Sequence, residues 1–176
     1  MKRILLTIFA ATAAAISGAA QNHEDMEGCP MHQQHQAAPS QHDQELAQRG
    51  NQGMGFDQDK TRHHFILGKD GGAIQVSANS SEDKASIEEI RMHLRHIEHS
   101  FRAGDFNIPM FVHDQTPPGV PVMTKLKDQL QYKYEAIENG GRVVISSKNA
   151  EAVSAVHDFL RFQITEHKTG DALEVK

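Results

Sequence analysis

Two hairpin signals, each followed by a helical stretch, constrain this chain more than any other feature. In the first, Arg62 to Leu67 and Ala73 to Ala78 alternate apolar and polar residues around Asp70-Gly71. In the second, Tyr132 to Ala136 and Val143 to Ser147 do the same around Asn139-Gly140. Period-two alternation marks a strand with one buried face. An Asp-Gly or Asn-Gly between two such runs marks a two-residue type I′ turn, in which both residues need positive φ. Such turns pair Leu67 with Ile74, Phe65 with Val76 and His63 with Ala78, all on the core side. They likewise pair Ala136 with Val143, Tyr134 with Ile145 and Tyr132 with Ser147. His64 then points to the opposite face with Ile66 and Gln75.

The two stretches resemble each other. Under a shift of 69 positions Met123 falls on Met54, Asp128 on Asp59, and Asn139-Gly140-Gly141 on Asp70-Gly71-Gly72. A helix follows each hairpin. Ile87, Ile90, Leu94, Ile97 and Phe101 make a stripe at helical spacing, and so do Val153, Val156, Leu160 and Ile164. Ser81 or Asn79 is the expected cap of the first helix; the second starts after Ser147 to Asn149. The pattern predicts an α+β domain built as a tandem ββα repeat, 54–105 and 123–171. Its four strands form one antiparallel sheet with two helices on one face. The other face stays open or pairs with a second copy in a homodimer. Between the repeats, Asn107 to Val122 is rich in proline, which argues against regular helix or central strand. Met110 to His113 would be a short extra strand.

Residues 1–20 read as a secretory signal peptide. Lys2 and Arg3 precede the apolar run Ile4 to Ile16, and small Gly18 and Ala20 precede Gln21. The run is shorter than the ~20 residues a membrane span needs, so no stable membrane insertion is expected. The mature chain is expected to be secreted into the periplasm. Gln21 to Gln52 is polar, Gln/His-rich and almost without branched apolar residues, so a disordered tail is expected over 21–52. Residues 53–171 form the single domain, and 172–176 a C-terminal tail. The net charge of -5, with no basic cluster, argues against nucleic acid as a partner.

Histidine, at 12 residues, is the outlier of the composition. In the tail, Cys29, Met31, His32 and His35 are candidate metal ligands. Cys29-Pro30-Met31-His32 resembles the Cys-Pro-Met-His core of small heavy-metal-binding domains on bacterial copper and silver efflux proteins. The resemblance covers four residues, and Gln33 stands where those domains have proline. In the domain the candidates are His63, His64, His93, His96, His113, Met54, Met110 and Met123, with His157 and His167 beside them. His93 and His96 are spaced to reach one ion from one helix. Met54 and Met123 occupy equivalent repeat positions, and could close a mixed pocket with His63 and the Met110 to His113 connector. Thioether with imidazole suits a copper ion, Cu(I), and next to it haem b with an axial pair. Covalent haem is excluded, because no Cys-x-x-Cys-His is present. The bland reading of any one of these residues is core-filling methionine or a boundary histidine. The alternative function is a small periplasmic enzyme or ligand-binding module centred on His63 and His64, with Asp57, Asp59 or Asp114 orienting a histidine base. No Gly-x-Ser-x-Gly nucleophile supports the enzyme.

The runs Met-Gly-Phe-Asp-x-x-Lys-Thr-x-His-His-Phe, Ile-Arg-Met-His-Leu, Pro-Met-Phe-Val-His-Asp and Phe-Leu-Arg-Phe-Gln-Ile resemble a family of small secreted proteins from environmental bacteria. The resemblance covers Met54 to Asp171 and implies no activity, so it transfers no catalytic residue. Relatives sometimes carry the name aspartate carbamoyltransferase. This chain lacks the Ser-Thr-Arg-Thr-Arg type of phosphate-binding run and is too short for two Rossmann-like domains. Export would also separate it from carbamoyl phosphate.

Overall fold

The computed structural model describes residues 39–175. The signal peptide and the tail candidates Cys29, Met31, His32 and His35 lie outside the described residues. In chain order the elements are α1 (Gln41–Met54), β1 (Thr61–Gly68), β2 (Gly71–Ala78) and α2 (Lys84–Ala103). There follow α3 (Asn107–His113), α4 (Val120–Lys125), β3 (Leu130–Ile137), β4 (Gly140–Ser147) and α5 (Ala150–Glu166). The fold is α+β, with one four-stranded antiparallel sheet in the order β1-β2-β4-β3. Helices α2 and α5 pack on the same face. Their stripes join Phe65, Leu67, Val76, Tyr132, Val143 and Ile145 in one buried cluster.

The central pairing of β2 with β4 is symmetric, because Ile74 faces Val143 and Gly71 faces Ser146 while Ser77 faces Gly140. The turns complete this symmetry. The Asp70 carbonyl accepts from the Ser147 N–H at 2.9 Å, and the Asn139 carbonyl from the Ala78 N–H at 2.8 Å. Each hairpin turn is therefore tied to the far end of the other hairpin.

Both hairpins close one residue earlier than expected. Gly68 pairs with Gly71 across Lys69-Asp70, and Ile137 with Gly140 across Glu138-Asn139. Phe65 accordingly faces Ile74 instead of Val76, and Tyr134 faces Val143 instead of Ile145. A register change of two keeps every side chain on its predicted face. The glycines are used as strand residues for close approach. A Cβ on Gly71, whose φ is 140°, would lie 2.2 Å from the Ile145 carbonyl oxygen, and one on Gly140 2.1 Å from that of Val76. No Asp, Lys, Glu or Asn of either turn has positive φ, so neither turn is type I′.

Three further expectations are corrected. Residues 41–52 are not part of a disordered tail but form most of α1. Ser40 and Asp43 make a capping box there, and Leu46 is buried. The connector is not extended at Met110 to His113 but helical, as α3, and it continues into α4. Pro109 and Pro121 lie in the first turns, where a missing N–H costs no intrahelical bond. The cap of α2 is Asp83, whose carboxylate accepts from the Ser86 N–H at 3.1 Å. Among the described residues no helix is long and apolar enough to cross a membrane.

Candidate functional site

The sheet, α1, α2, α3 and the end of α5 meet around one cavity of about 60 Å³. Its walls include Phe65, Val76, Ile97, Phe101, Val112 and Phe159, so it is largely apolar. Into it come Met54 from the last position of α1, His63 from β1, His93 from α2, His113 from the end of α3, and His167 just past α5. Alternation in β1 puts His63 on the core face with Phe65 and Leu67. His93 sits on the flank of the α2 stripe, next to buried Leu94.

The imidazoles belong to one aromatic cluster, in which His63 and His167 stack face to face while His113 and His93 meet their neighbours edge-on. The His63 ring lies 5.9 Å from that of His167 with 9° between their planes, and 5.9 Å from Phe56. His167 also lies 5.7 Å from Phe65 and meets His113 edge-on at 5.0 Å. His93 meets Phe56 edge-on at 5.4 Å. Stacking of this kind presents ring faces to one another, so the nitrogens do not all converge. Accordingly, among the described residues no three His, Cys, Asp or Glu side chains stand as a ready metal chelate.

Burial makes the group neutral. It pushes His63 and His93 down to about 4, helped for His63 by the neighbouring His64 and for His93 by His63 and His96. It pushes His167 down to about 3, helped by His63 and His113. His113 is also lowered by burial, against the opposing effects of its hydrogen bond to Gln163 and the carboxylate of Glu166. Within the described residues His42, His64, His113 and His157 make side-chain hydrogen bonds, whereas His63, His93 and His167 make none. Three neutral imidazoles without side-chain hydrogen bonds thus line the cavity that Met54 also lines.

One end of the cavity is polar. His113, 3 % exposed, has Nε2 3.0 Å from Gln163 Oε1. An amide oxygen only accepts, so Nε2 is the donor and Nδ1 of the neutral ring is left an acceptor. That Nδ1 has no partner, nor has the buried Nε2 of Gln163. The nearest carboxylate, Glu166, stands 3.8 Å from His113 Nδ1 and 2.9 Å from His42 Nε2 on α1. Asp43 of α1 adds an ion pair to Lys168 at 2.6 Å. The polar edge of the site is therefore also the seam that holds α1 down.

The expected residues divide cleanly. Met54, His63, His93 and His113 come together, and His167 joins them. Met123 does not line the cavity; it is fully buried in α4 as core. Met110 is 36 % exposed on α3, on the side away from the cavity lining. His96 is exposed on α2. His64 turns to the edge of β1, where its Nδ1 lies 2.9 Å from Asp171 Oδ1 while Asp171 Oδ2 accepts from the Phe65 N–H. Gln163 was not anticipated. Its signal was a polar residue between Leu160 and Ile164 on the inner stripe of α5. Phe56 was not anticipated either, because its role is to stack on His63. Comparison with protein-family models, with curated proteins and with solved structures found no match to this chain.

Proposed function

We propose that this is an exported metal-binding protein and that the imidazole-lined cavity holds a copper ion as Cu(I). The observation that carries the reading is the meeting of Met54 with His63, His93 and His167, three neutral imidazoles without hydrogen-bond partners, in one apolar cavity. Neutral imidazole and thioether are ligands of choice for a soft ion. The stacked geometry favours Cu(I) over zinc, because Cu(I) accepts two or three donors while zinc wants four. The reading also treats the two ββα halves as copies, one bearing His93 and His96 where the other bears Phe159 and Phe162. Haem b does not suit a cavity of about 60 Å³.

The test is to express the protein with its own leader in copper-supplemented cells and to measure bound metals in wild type, Met54→Leu and His63→Phe. Leucine keeps the volume of methionine and phenylalanine keeps the stack, so both variants should fold. Wild type should carry stoichiometric copper and both variants much less. Equal copper in all three would defeat the reading, and loss only on deleting residues 21–38 would move the chemistry to the tail.

A second reading is favoured by the unpartnered His113 Nδ1 and Gln163 Nε2. A buried acceptor and a buried donor without partners, on two residues that line the same apolar cavity, suit one small hydroxyl-bearing molecule. An organic adduct in native mass spectrometry, lost in Gln163→Leu, would favour this ligand-binding module over the copper site.

A further inference from the structure

Helix α2 turns Ile87, Ile90, Leu94, Ile97 and Phe101 to the sheet. At about 100° per residue, the direction opposite this stripe belongs to Met92, His96 and His99, which fall within about 60° of one another. Exposed Ala85 and Ala103 extend the same line at either end. Met92 is 66 % exposed, more than any other large hydrophobic side chain among the described residues. His96 and His99 are exposed beside it.

The solvent pole of a helix ordinarily holds lysine, glutamate or another hydrated chain. Here it holds a mostly exposed thioether and two exposed imidazoles at i+4 and i+7. The spacings of four between Met92 and His96 and of three between His96 and His99 put neighbouring Cβ atoms about 5–6 Å apart, a gap that one ion can bridge. The surrounding charges leave the stripe open. Glu88 is taken by Arg91 at 3.1 Å, and Arg95 lies over the Tyr134 ring at 4.9 Å. Glu98 is taken by Arg102. Glu89, one turn before Met92, forms no ion pair among the described residues and leaves a negative charge beside the stripe.

We propose that Met92, His96 and His99 form a surface site for Cu(I), distinct from the cavity and bound by two imidazoles and one thioether. The site stands whether or not the cavity takes metal. His93, which lines the cavity, lies one turn before His96, so the ion would sit on the outer side of the same helix wall.

Anaerobic titration of isotopically labelled mature protein with Cu(I) tests the site, read by NMR at the Met92 methyl and at the His96 and His99 ring protons. In wild type these signals should move together and saturate near one added ion per site. His96→Gln with His99→Gln should abolish the movement while the amide spectrum stays folded. Met92→Leu should weaken binding about tenfold or more. Signals from Met92, His96 and His99 that stay still in excess Cu(I), or move equally in the double variant, would overturn the proposal. Movement confined to Met54, His63 and His93 would likewise overturn it and leave the cavity reading standing. Movement confined to the stripe would support it and sink the cavity reading.

Discussion

His63, His93 and His167 stay neutral at pH 7 because charging them inside an apolar wall is costly, and that cost links them to stability. Their folded values of about 4, about 4 and about 3 lie below the unfolded value near 6.5. As pH falls through about 6.5 the unfolded chain takes up protons first, so stability is complete above that pH and is lost toward the folded values. Each histidine can contribute a slope of up to about 1.4 kcal/mol per pH unit in that window. Asp43, held down to about 2 by Lys168 and Ser40, is charged in both the folded and the unfolded chain between pH 5 and pH 7 and does not contribute there. Urea unfolding should therefore show a lower midpoint at pH 5 than at pH 7, with a smaller drop in His63→Phe. A midpoint unchanged between the two pH values would contradict the burial argument. At this scale the sequence was informative about β1, where alternation alone put His63 inward and His64 outward. It was uninformative about Met123 and Met110, because methionine serves core, surface and ligand positions without a distinguishing pattern.

Among the elements, the two hairpins and the two long helices were legible, since period two and period 3.6 each survive in a single sequence. The turns fall one residue before the positions that Asp70-Gly71 and Asn139-Gly140 predict as local turn chemistry. Their glycines answer instead to the neighbouring hairpin. Gly71→Ala tests this: with φ at 140° and a carbonyl oxygen 2.2 Å from the new Cβ, it should destabilise by about 2 kcal/mol or more. A neutral effect in denaturant melts would show that β2 and β4 can separate there. Helix α1 is illegible in the sequence for a different reason. Its stability comes from a capping box, the Asp43–Lys168 and His42–Glu166 pairs, and the Arg49 hydrogen bond to the Val112 carbonyl at 2.9 Å. Apart from the local Ser40–Asp43 capping box, those partners lie far away in the chain and leave no periodic apolar signal. Leu46, its buried apolar anchor, should cost about 2–3 kcal/mol when changed to alanine. Loss of less than half that, by urea melts, would mean that α1 is held by its polar contacts alone.

For the whole molecule, the site is a product of convergence that the sequence does not display. Met54, His63, His93, His113 and His167 arrive from five places, and only His63 and His93 come from within one hairpin-helix unit. The β2–β4 pairing is centred on Ile74 and Val143, so the likeness of the two hairpins brings strand centres together, and Met123 stays out of the cavity that Met54 lines. What gathers the histidines is the seating of α1 and α3 beside the end of α5. The copper site proposed above lies in this cavity. Crystals of copper-loaded protein, with diffraction collected on both sides of the copper absorption edge, test it most directly. An anomalous peak is expected within bonding distance of Met54 Sδ and a ring nitrogen of His63, His93 or His167. Copper at full occupancy elsewhere, with the cavity empty of anomalous density, would contradict it.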